Sequence, residues 1–178
     1  MQNRITDSRK TSKTMAHLSY EATNRFSILF FFLHYIYSFL YLKNIKCLYA
    51  SIKEWIADKG LSEEEVEHAI NEEQFGEYKT SRMIIHQSPK DIRLGELSPV
   101  SASVIGADGR VDLTGDYDQQ ILVYLTPNKP DGRFEEMPYK GVKQNGWYWI
   151  EDYRRGKAHL IDKELFFELL EMVSDHEF

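Results

Sequence analysis

A chain of 178 residues, 42% hydrophobic and 13% aromatic, holds enough apolar material for one domain with a real core. Its net charge of −6 hides an asymmetry: residues 1–50 carry seven Lys/Arg against two Asp/Glu, +5, and residues 51–178 carry 15 against 26, −11. The acidic part opposes broad contact with a phosphate backbone, and the single cysteine, Cys47, excludes a disulfide framework or a multi-cysteine zinc site while being compatible with a reducing cytoplasm.

Residues 1–24 are polar, without an apolar period, and read as disordered. Residues 25–50 form an apolar segment around Phe26 to Leu42, 17 residues without a charge. As a helix that run would span about 25 Å, against a hydrocarbon core of about 30 Å. Three readings compete for it: a membrane anchor, an element packed on the domain that follows, and an extension foreign to the native fold.

From Ser51 the pattern sharpens into a single expected domain, 51–178. Ile52, Trp55 and Ile56 fall at i, i+3 and i+4, an amphipathic helix that Gly60 can end in left-handed geometry. Ser62 followed by Glu65 forms a capping box, and the run to Glu73 predicts a second helix, so that 51–75 reads as an acidic helical hairpin. Met83 to Ile85 centres a strand over Arg82 to Gln87, and Ser88-Pro89 and Ser98-Pro99 bracket an expected loop that includes Leu94 to Leu97. Ser101 to Ile105 and Arg110 to Leu113 read as a hairpin turning at Ala107-Asp108-Gly109. Gln120 to Thr126 is the most continuous apolar strand, Asn128 to Gly132 a turn, and Phe134 to Met137 a further strand.

Asn145-Gly146 carries the two-residue signal of a hairpin, which would pair Val142 with Trp149 and place both beside Trp147 on one face. Tyr148 and Ile150 would take the other face, giving a strand covered on both sides, and Lys157 to Ile161 would return as the next strand. Asp162 is the N-cap of a last helix with the stripe Leu165, Phe166, Leu169, Leu170 and Val173. The expected fold is α+β: an acidic helical hairpin, a mostly antiparallel sheet of five to seven strands, and a C-terminal helix packed on it.

The phosphate-binding glycine loops, the nucleophile elbow and the His-Glu-x-x-His pattern do not occur in the sequence. Asp108, Asp112, Asp116 and Asp118 crowd a turn, but their glycines do not match a calcium loop, and no cofactor or metal is expected. A nuclease reading would need Glu135, Glu136 and Lys140 to converge with those aspartates. A helix-turn-helix reader would turn glutamates towards phosphates.

Two functions remain. One is a protein-interaction module, an inhibitor or regulator that meets a basic partner protein through Glu63, Glu64 and Glu67. The other is a nucleic-acid or nucleotide binder, with or without hydrolysis, that uses the basic aromatic stretch Trp147, Trp149, Tyr153, Arg154, Arg155 and Lys157. A membrane contact through Phe26 to Leu42 can accompany either.

Overall fold

In a computed structural model of the chain the described residues are 35–73, 76–87, 92–127, 139–152 and 156–178. Two units divide the chain, Met1–Ile36 and Tyr37–Phe178. In the first, the described residues 35 and 36 are helical. The stretch 1–24, the uncharged run as far as residue 34, the turn at 128–132 and the strand expected at 134–137 lie outside the described residues.

The second unit opens with helix α1 (residues 37–57), followed by β1 (Leu61–Glu72), β2 (Gly76–Gln87), β3 (Ile92–Ser101), β4 (Arg110–Thr114), β5 (Gln119–Leu125), β6 (Gly146–Asp152), β7 (Lys157–Leu160) and helix α2 (Lys163–Ser174). The seven strands form one antiparallel sheet in sequence order. An α+β architecture with a C-terminal helix on an antiparallel sheet is thus present, with an N-terminal helix as well.

One face of the sheet carries both helices. Tyr41, Ile45, Leu48, Tyr49, Ile52 and Ile56 recur at helical spacing along α1 and are buried against Met83, Ile85, Leu97, Val111, Leu113 and Leu122 from the strands. From α2, Phe166, Phe167, Leu169, Leu170 and Val173 join the same core. Tyrosine hydroxyls tie α1 to the strand backbones. Tyr49 donates to Ser81 O at 2.9 Å and Leu97 O at 3.1 Å, and Tyr41 donates to Arg110 O and accepts from Val100 N. Burial raises the pKa of both hydroxyls, so they stay neutral donors. Gly109, at φ 154°, lies so close to Tyr41 that a Cβ there would come within 2.5 Å of the ring. No helix among the described residues is long and apolar enough to cross a membrane.

The expected second helix is a strand. Residues 61–72 pair with 76–87 along the whole of β1, from Leu61↔Gln87 to Glu72↔Gly76. Helix propensity is a weak prior, and here a long partner strand overrides it. The capping box disperses accordingly: Glu65 takes Lys53 of α1 at 2.8 Å and the Ser81 hydroxyl of β2. The helix before it ends as expected, with Gly60 at φ 69°.

Three strand boundaries also differ. Leu94 to Leu97 lies inside β3, because Ile85↔Gly95 and Leu97↔Leu113 extend the ladder on both sides. β3 stops at Ser101 instead of starting there. Asn145-Gly146 is the entry to β6, not a hairpin turn: Gly146 pairs with Leu125 and Trp149 with Leu122, so the partner is β5. Val142 therefore packs with Tyr148 and Ile150, opposite the tryptophans. The division of Trp147 and Trp149 from Tyr148 and Ile150 holds, as period-two alternation requires. Asp162 caps α2 by accepting from Leu165 N at 2.9 Å.

Candidate functional site

The face of β1–β4 opposite the described helices carries the other half of each alternation. On β2, Met83 and Ile85 enter the core, so Arg82, Ile84 and His86 point away from it. Ser62↔His86↔Arg93 forms one row across β1, β2 and β3, and Glu64↔Ile84↔Glu96 the next. A register shift at Ile85/His86 brings Arg93 and Glu96, three residues apart, onto this same face.

Glu96 is the centre of the charge arrangement. Its side chain is only 10% exposed. Arg82 Nη1 donates to one oxygen at 2.9 Å, Arg93 Nη2 to the other at 3.0 Å, and Ser98 Oγ adds a bond at 2.7 Å. Burial works against the ionised form, but the Ser98 bond and the two guanidinium charges outweigh it and hold the Glu96 pKa below its usual value. Next along the sheet, Asp112 accepts Arg110 Nε and Nη2 at 2.6 and 2.8 Å and Gln119 Nε2 at 2.6 Å. Among the described residues, the buried side-chain polar atoms lacking a hydrogen-bond partner are Ser62 Oγ, Arg82 Nε and both ring nitrogens of His86.

The residues singled out by sequence are dispersed. Glu63 and Glu65 face Lys53 at 3.5 and 2.8 Å, and Glu67 meets Lys79 at 3.0 Å. Glu72 accepts from Ala102 N at 2.8 Å, from Ser101 Oγ at 2.6 Å and from the Tyr78 hydroxyl. Glu64 is exposed. The glutamates therefore lie along a strand, several of them engaged inside the molecule.

Of the basic aromatic stretch, Trp147 is a core residue, 6% exposed, whose indole donates to Asn44 O at 3.1 Å. Trp149 is half-buried and donates to Gln120 Oε1 at 2.8 Å. Lys157 and His159 both reach Glu151, at 2.7 and 2.8 Å, and hold its pKa down. Tyr153, Arg154 and Arg155 lie outside the described residues, as do Glu135 and Glu136. Among the described residues no group of three or more His, Cys, Asp or Glu is arranged to hold a metal ion. Asp118 bonds Gln119 N and Gln120 Nε2.

A groove of about 570 Å³ runs between residues 141–144, β7 and the start of α2. Lys143 and His159 stand in it against Asp162, Glu164 and Glu168, so its charges are mixed.

The two edges of the sheet differ. β7 is short, and Lys140 bridges its outer side, with Lys140 N donating to Gly156 O and Ala158 N donating to Lys140 O at 2.9 Å. β1 is three times as long, and among the described residues it pairs with β2 alone. Comparison with protein-family models, with curated proteins and with solved structures gave no match.

Proposed function

We propose that this chain is a non-catalytic protein-interaction module, an inhibitor or regulator that receives a basic, extended segment of a partner protein along the outer edge of β1. The outer edge of a 12-residue strand, which among the described residues pairs with β2 alone, carries this reading. Its outward backbone N–H and C=O groups are a template for strand addition, which natural sheets otherwise cover, as β7 is covered here. Charge selects the partner. A second copy of β1 would bring glutamate against glutamate, whereas Lys or Arg on an incoming strand would meet Glu64, Glu67 and Glu73, all exposed. The −11 charge of residues 51–178 favours the same approach at long range.

The test uses a nine-residue peptide of alternating Lys and Val and the same peptide N-methylated at alternate amides. Amide NMR of the labelled chain should show the first peptide shifting residues 61–72, and the second, equal in charge but lacking donors, leaving them unmoved. Glu64→Gln with Glu67→Gln should weaken binding about threefold to tenfold. Equal binding of both peptides, or shifts elsewhere with β1 silent, would overturn the proposal.

A further inference from the structure

The face opposite the described helices offers something the edge does not. Ser62, His86 and Arg93 stand side by side across three strands, with Arg82 farther along β2. Cross-strand neighbours in such a row have Cβ atoms about 4.5–5.5 Å apart, so His86 in the middle adjoins both Ser62 and Arg93. Their chemistry is of one kind: a hydroxyl, an imidazole N–H and guanidinium N–H groups are all donors.

Two observations point to what would accept from them. Arg82 and Arg93 are both anchored on Glu96, two cations on one carboxylate, which leaves the trio with a charge of +1 and holds both heads in place. The two side chains are also partly open to solvent, 37% for Arg82 and 47% for Arg93, although Arg82 Nε itself is buried. Second, the buried polar atoms without partners among the described residues, Ser62 Oγ, Arg82 Nε, His86 Nδ1 and His86 Nε2, all belong to this face. Leaving such atoms unpaired costs stability, and their concentration at one place is the mark of a site built for a ligand and not for the fold.

From this convergence of unpaired donors on a fixed cationic pair, we infer that the row Ser62–His86–Arg93, with Arg82, binds a small oxyanion, a phosphate or carboxylate group. The anion accepts from the Ser62 hydroxyl, an imidazole N–H and the outward guanidinium N–H groups, and it neutralises the residual charge. Glu64 lies on the same face in the adjoining row and opposes the anion, which keeps the affinity modest. The site goes beyond the edge-binding reading and does not depend on it. Glu64→Gln separates the two, since it weakens a basic peptide at the edge and tightens an anion on the face.

Inorganic phosphate and acetate are the probes, titrated into the full chain against sodium chloride at equal ionic strength. Thermal unfolding and amide NMR are the readouts. Phosphate should raise the unfolding midpoint saturably and shift Ser62, His86 and Arg93 amides; acetate tests whether a carboxylate suffices. His86→Phe removes two unpaired nitrogens, so it should leave the anion-free midpoint unchanged or higher while cutting phosphate affinity at least tenfold. Ser62→Ala should weaken binding about threefold, and Glu64→Gln should tighten it by about the same factor. A midpoint that rises no more with phosphate than with chloride would overturn the inference. So would a phosphate response that persists in His86→Phe, or a His86→Phe protein destabilised like a core variant.

Discussion

The two faces of the sheet are built from alternate residues of the same strands, yet they differ in kind. On the helix-covered face, buried tyrosine hydroxyls and the Trp147 indole are tied to strand or helix backbone, and the apolar side chains of α1 and α2 close over Met83, Ile85 and Leu97. On the other face of β1–β4, charges are held by charges and several donors are left unpaired. The contrast teaches that one short segment, Arg82 to His86, serves two ends at once, its odd residues stability and its even ones, in our reading, recognition.

The contrast breaks most visibly in the core. Leu97→Ala, at a fully buried position between β2 and β4, should cost about 2–5 kcal/mol in urea unfolding. A smaller loss is expected from Glu96→Gln on the opposite face, about 1–3 kcal/mol, since Arg82, Arg93 and Ser98 lose a charged acceptor. The same carboxylate sharpens the comparison through pH. Because its folded pKa lies below the ordinary value of 4.5, it contributes stability that is present above that value and is lost as pH falls through the folded pKa. Glu96→Gln should therefore flatten the acid limb of the stability profile, while Leu97→Ala should lower the profile at every pH. Removing the α2 cap with Asp162→Ala should cost about 1 kcal/mol. The smallest effect is expected at Glu67→Gln, whose exposed pairing with Lys79 is worth under about 0.5 kcal/mol.

Much of the helix-covered face is legible in the sequence. The stripe of α2, its cap at Asp162, the stop at Gly60 and the opposed faces of Trp147 and Tyr148 all follow from periodicity and local turn chemistry. The run from Ser62 to Glu73 misleads because its glutamates favour a helix locally, while the partner strand that decides the matter begins only at Gly76. Asn145-Gly146 misleads in a related way, since a turn signal does not say which strands it separates and β5 lies 20 residues upstream. The polar face has a signal in the sequence too: Arg82, Ile84 and His86 alternate with Met83 and Ile85, which marks a half-buried strand with a second face of its own. That Arg82 and Arg93 share Glu96 depends on a register shift, and no local pattern announces it.

The division of labour between the faces is tested most directly by an alanine scan of five consecutive residues, Arg82 to His86, read by urea unfolding. Met83→Ala and Ile85→Ala should each cost about 2–5 kcal/mol, and Arg82→Ala, Ile84→Ala and His86→Ala about 1 kcal/mol or less. A saw-tooth of period two is the result expected. Losses at Ile84 and His86 as large as those at Met83 and Ile85 would contradict it, because the face opposite α1 and α2 would then hold the fold together as the covered one does.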